Sequence, residues 1–101
     1  MKVVYADRAR QDIAAIYDYI ALSNVRAAQT VEDAIRGTCD ALADFPFAAP
    51  STDEPNVRRA PLVRYPYTIF YRVDEQRELV QIARVIHAAR VQRPGSMPDD
   101  D

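Results

Sequence analysis

The sequence predicts an α+β domain: an N-terminal strand and an antiparallel two-helix hairpin, packed on a small, mainly antiparallel sheet. Three observations carry this. Two apolar stripes at helical spacing follow one another with a short break at 22–24. Two β-rich runs, 67–73 and 78–87, are joined by the charged turn "DEQR". Between helices and strands lies a stretch with four prolines, Pro46, Pro50, Pro55 and Pro61, which reads as a loop.

In order along the chain, "KVVYA" (2–6) is β-branched and aromatic and reads as a short strand. Asp7 is a candidate N-cap, because a carboxylate accepts from the free N–H groups of a helix start. Ala9, Ile13, Ile16 and Ile20 then recur at steps of 4, 3 and 4, which places them on one helix face. "LSN" breaks the stripe, and Ser23 or Asn24 starts the next helix. Its stripe is Ala28, Val31, Ile35, Thr38, Leu42 and Phe45. Two such helices with a short link form an antiparallel hairpin. Cys39 lies beside Ile35 and Leu42 and reads as packing rather than as a reactive thiol.

The segment "NVRRAPL" (56–62) reads as irregular and at an edge, because Pro61 has no amide to donate to a ladder. A turn centred on Glu75-Gln76 pairs Ile69 with Ile82 and Tyr71 with Val80. Alternation then puts Tyr67, Ile69, Tyr71, Val73, Val80, Ile82 and Ile86 on the helix-facing side. The other side, with Thr68, Phe70, Arg72, Gln81, Val85 and His87, is half polar and expected to be accessible. Residues 1–93 are expected to form a single domain, and 94–101, ending in Asp99, Asp100 and Asp101, a flexible acidic tail.

The chain has 101 residues, which suits one domain, and 49 % of them are hydrophobic, enough for one small core. No apolar run approaches the ~18 residues of a membrane span. No signal peptide is apparent, and a lone Cys39 forms no intrachain disulfide, so the expected location is cytoplasmic. Net charge is −2, but it is divided unevenly. Residues 1–54 carry five basic and nine acidic side chains, giving −4; residues 55–95 carry eight arginines and three acids, giving +5. Arginine makes bidentate contacts with carboxylate or phosphate, so the second half suits an anionic partner. Strand-edge arginines also serve solubility alone.

Candidate chemistry is sparse. His87, the only histidine, ends the last strand with Arg90 three residues on. A proton shuttle beside cations resembles a small phosphodiesterase site; a strand-end histidine with no carboxylate partner is more often structural. No second His or Cys stands at ligand spacing, so no metal is expected. Gly37 and Gly95 are too few for a phosphate loop, and no cofactor is expected. Ser23, Ser51 and Ser96 sit in no nucleophile turn. Tyr17, Tyr19, Tyr65, Tyr67 and Tyr71 are candidates for base stacking, although Tyr67 and Tyr71 fall on the expected core face.

The order strand, two helices, three strands, with "FYRV" (70–73) and "RVIH" (84–87), resembles the RelE/ParE superfamily of type II toxins, in its ParE-like branch. The resemblance covers residues 2 to about 91. It implies a β-α-α-β-β-β fold, a growth-inhibiting and plasmid-stabilising toxin, and neutralisation by a cognate antitoxin in a protein complex. ParE-like members poison DNA gyrase, whereas RelE-like members cleave mRNA on the ribosome. Carried over residue by residue, Arg59 keeps one basic position of the RelE set. Pro61 replaces a lysine, Thr68 an arginine, His87 a lysine and Ala88 the catalytic arginine, and Pro94 stands near the expected tyrosine. The resemblance therefore implies a gyrase poison without catalytic residues. The alternatives are a ribonuclease using His87 with Arg59, Arg72 and Arg90, and an inactive member that only binds antitoxin. Direct nucleic-acid binding is left open. Expected partner contacts are Arg58, Arg59, Arg72 and Arg90 with the apolar Phe70 and Val85 between them.

Overall fold

The computed structural model describes residues 1–90, so the expectation about the 94–101 tail lies outside the described residues. Lys2–Tyr5 forms β1, Asp7–Ala21 α1, Val25–Asp44 α2, Val57–Pro61 β2, Tyr67–Asp74 β3 and Leu79–His87 β4; Ala88–Arg90 closes with a 3-10 turn. The sheet order is β1-β4-β3-β2, with β1 parallel to β4 and the other pairs antiparallel. The α+β class and the element order are those the sequence predicts.

The helices follow their stripes, with local differences. Asp7 is not the N-cap. Ala6 holds that position without a side-chain bond, and Asp7 is the first helical residue, where its charge faces the positive end of the helix dipole. Asn24 caps α2, its Oδ1 accepting from the Ala27 N–H at 3.0 Å. Ala28, Val31, Ile35, Cys39 and Leu42 are buried. Thr38 is only half-buried, its hydroxyl donating back to the Ala34 carbonyl at 2.9 Å. Phe45, the expected end of the stripe, caps the helix and is exposed.

Cys39 is fully buried in the core. Burial pushes its thiol up from about 9 to about 11, with Tyr5 as its hydrogen-bond partner; burial and the neighbouring Cys39 push Tyr5 up to about 12.

The segment with Pro61 is a regular strand, β2, and it does lie at the sheet edge. The proline-rich loop folds back over that edge: Thr52 N–H donates to the Val57 carbonyl and Arg59 N–H to the Pro50 carbonyl. A covered edge offers no template for another chain.

The β3–β4 register differs from expectation, and the difference redistributes the faces. Asp74 pairs with Leu79, so the turn is the four residues 75–78. Asp74 Oδ1 accepts from the Arg77 N–H, and Glu78 takes a left-handed backbone at φ 54°. Tyr71 then pairs with Ile82, not with Val80, and Ile69 with Val85, not with Ile82. Phe70 pairs with Arg84, so Ala83 is an extra residue, a β-bulge. One extra residue flips everything after it. Val85 turns to the helix side and joins the main core, while Ile86 turns to the far side and packs with Val57 and Phe70. The far face is also not the accessible surface expected: Phe70 is 0 % exposed, Thr68 4 % and, on the helix side, Val85 2 %.

Ile35 has no exposed surface in the main core. Ile35→Ala is expected to cost about 3 kcal/mol, read as a lowered urea midpoint at unchanged slope. A second outcome concerns alkaline stability. The folded chain holds the Cys39 proton up to about pH 11, and the unfolded chain releases it near 9. Stability is therefore expected to fall as pH rises from about 9 to 11. Cys39→Ala should flatten that fall in pH-dependent melting curves.

Candidate functional site

Arg84 stands mid-strand among apolar residues, and such a charge has to find a partner. β1 is only four residues long. Its last link to β4 is the Ala6 N–H to the Ile82 carbonyl. Beyond Ile82, α1 rather than a strand lies beside β4. There Asp12 takes the place of the missing strand. Its carboxylate accepts from Arg84 Nε at 2.8 Å and Nη2 at 3.1 Å, and from the Val85 N–H at 2.9 Å. The side chains are 3 % and 13 % exposed.

Next to this pair lies a groove of about 430 Å3, lined on α1 by Asp12, Ala15, Ile16 and Tyr19 and on the sheet side by Tyr67, Val85, His87 and Arg90. The Ala88 N–H donates to the Pro66 carbonyl at 2.7 Å, which turns the chain back against the start of β3. His87 Nδ1 accepts from the Ala89 N–H at 3.1 Å, and its ring meets Tyr67 edge-on at 5.3 Å. Burial, with Tyr19 nearby, raises the Tyr67 hydroxyl above its usual range.

The other expected site residues lie elsewhere. Arg58 is tied to the loop: its guanidinium donates to the Ala49 carbonyl at 2.6 Å and sits 5.0 Å over the Phe47 ring. Arg59 pairs with Phe70 and Arg72 with Gln81, so both belong to the sheet face away from the helices. Arg72 lines a second concavity, of about 540 Å3, with Val4, Gln81 and the charges of the turn, Asp74, Glu75 and Arg77. Phe70 is buried and presents no surface to a partner, whereas Val85, also buried, lies on the helix side at the floor of the groove. His87 pairs with Tyr67, five positions along β3 from Arg72, roughly 16 Å at strand rise and on the opposite face. The structure brings His87 and Arg90 together, and it separates them from Arg59 and Arg72.

A third groove, of about 420 Å3, runs between Ala34, Gly37, Thr38 and Ala41 of α2 and Leu62, Val63, Arg64 and Tyr65. It stays open at Gly37, where a Cβ would meet nothing within 4 Å. Among the described residues no cluster of His, Cys, Asp and Glu is placed to hold a metal ion, and no helix is long and apolar enough to cross a membrane.

All of this architecture except Lys2, the first residue of β1, falls within a match over residues 3–92 to the family described as the ParE toxin of type II toxin–antitoxin systems, parDE. The chain belongs to the ParE toxin family. Among solved structures, it is similar to a chain of the chromosomal ParDE toxin–antitoxin system from P. aeruginosa, at 27 % identity and a TM-score of 0.75, covering 86 % of this chain and 95 % of that one. Two more distant structures share the fold. One is the intact E. coli RelBE toxin–antitoxin complex, at 16 % identity and a TM-score of 0.66, covering 86 % and 95 %. The other is the RelBE2 complex from Mycobacterium tuberculosis, at 21 % identity and 0.58, covering 85 % and 95 %. No curated protein sequence matches significantly. This ParE-family chain is thus a toxin of a type II toxin–antitoxin system.

Sequence reasoning missed Asp12 and Arg84, and singled out Tyr19 only as one of five candidates for base stacking. The signal for Arg84 was present: a lone cation inside "IARVI" is a charge inside an apolar strand.

Removing one partner of a buried pair leaves an uncompensated charge. Asp12→Ala is expected to destabilise by about 3–5 kcal/mol, and Asp12→Leu combined with Arg84→Met by much less. Urea unfolding of Asp12→Leu, Arg84→Met and the double variant reads this directly; a double-variant loss equal to the sum of the two single losses would show that the pair is not coupled.

Proposed function

We propose that this ParE-family toxin inhibits growth by binding and poisoning DNA gyrase in the cytoplasm, with no chemistry of its own, and that a cognate antitoxin neutralises it. One observation carries the non-catalytic reading: His87 and Arg90 stand on one side of the sheet, Arg59 and Arg72 on the other. Acid–base cleavage of a phosphodiester needs a proton-transfer group within hydrogen-bond reach of the reacting atom and cations on the same phosphate. These four residues share no such point. Pro61, Thr68 and Ala88, which stand where the RelE pattern calls for basic side chains, support the same reading.

The antitoxin is supported by the family, and by the fact that its structural relatives include toxin–antitoxin complexes. Of the arginines first expected at the interface, Arg58 is committed to the 46–50 loop, whereas Arg59, Arg72 and Arg90 remain candidate contacts for acidic partners.

At molar excess over purified gyrase, the toxin is expected to abolish supercoiling and to trap linear cleavage products. His87→Ala is expected to keep full toxicity. Unchanged supercoiling, together with transcripts newly cut during growth arrest and a His87→Ala variant that no longer arrests growth, would replace this reading with the ribonuclease one.

A further inference from the structure

The groove between α1 and the end of β4 has an apolar floor, Ala15, Ile16 and Val85, and aromatic walls, Tyr19 and Tyr67. Its volume of about 430 Å3 falls within the ~300–1,000 Å3 usual for ligand pockets. Tyr19 is 75 % exposed there, and tyrosine and arginine are the side chains most enriched where binding energy concentrates.

Two features define what fits. The first is charge. Among the described residues, the only carboxylate in the lining, Asp12, is engaged by Arg84 and the Val85 N–H. The free charge at the rim is therefore Arg90, which is exposed and has no carboxylate partner among the described residues. The second is backbone. β4 continues past the end of β1, which would ordinarily invite an added strand, but Asp12 already occupies the Val85 N–H. A partner therefore cannot zip on at that amide and has to enter by a side chain.

We propose that this groove is an anchor pocket for an acidic protein segment, which inserts one large apolar side chain between Tyr19 and Tyr67 and sets a neighbouring carboxylate on Arg90. The proposal rests on the antitoxin reading above and identifies that segment as part of the antitoxin.

The test uses the full chain and the product of the adjacent gene as the probe, with affinity measured by calorimetry. Ala15 is an exposed helix position, so Ala15→Trp fills the groove without entering the core. Arg90→Glu reverses the rim charge, and Arg26→Glu, on exposed helix surface at the start of α2, is the control. Ala15→Trp and Arg90→Glu are each expected to weaken binding at least about tenfold, as hot-spot loss does, and Arg26→Glu by less than about twofold. In labelled wild type, the Ile16 and Val85 methyl resonances are expected to shift on binding. If wild type binds and both groove variants bind equally well, the pocket is wrong and the antitoxin reading stands. If wild type does not bind the product at all, that reading falls and the pocket falls with it. If wild type alone self-associates, and Ala15→Trp abolishes this without affecting the heterocomplex, the occupant is a second copy and the proposal is overturned.

Discussion

The Asp12 carboxylate joins α1 to β4 by three hydrogen bonds, two from Arg84 and one from the Val85 amide. The arrangement follows from unequal strand lengths. β1 offers four residues and β4 nine, so half of the central strand has no neighbour on that side. An unpaired amide in a buried position costs free energy comparable to a lost hydrogen bond. The helix that follows β1 supplies the acceptor five residues into its length. An isolated buried ion pair is weak evidence of stability, because desolvation offsets the attraction. Here the carboxylate also satisfies backbone, so its main effect is to fix where α1 sits along β4. The groove with Tyr19, His87 and Arg90 lies beside this junction, and Asp12 itself forms part of its wall.

The β-bulge at Ala83 matters for the same geometry. Without the extra residue, Val85 would face away from the helices and Ile86 toward them, as strict alternation requires. With it, Val85 closes the main core beneath α1 and Ile86 completes the second cluster with Val57 and Phe70. The bulge also lies next to the point where β1 stops. The parallel pairing ends at Ile82, the bulge follows at Ala83, and the ion pair begins at Arg84.

Local periodicity made much of the fold legible. Both helices, the hairpin strands and the edge position of the Pro61 segment follow from stripes, alternation and a missing amide donor, all of which act within a few residues. What the sequence hid is set by pairs far apart in it. Asp12 and Arg84 are separated by 72 positions, and no periodicity links them. The register failed because Glu78 adopts a left-handed backbone that lengthens the turn, which propensity does not foresee for glutamate. The burial of Phe70 was hidden too, because half-polar alternation read as a solvent face.

Net charge illustrates a related limit. The +5 of residues 55–95 suggested one cationic surface, and the structure divides it. Arg58 holds the loop, Arg77 lies beside Asp74, and Arg84 is neutralised by Asp12. Arg59 and Arg72 stay on the face away from the helices, and Arg90 stands at the opposite edge. A fold shared by ParE- and RelE-type toxins does not by itself assign an activity; the placement of side chains must. Cleavage requires groups that converge on one bond, whereas binding a large partner is served by separate patches, each anchoring a different part of it. Dispersed arginines and an aromatic groove beside the Asp12–Arg84 pair are separate patches of this kind, and that is the support for the binding reading proposed above.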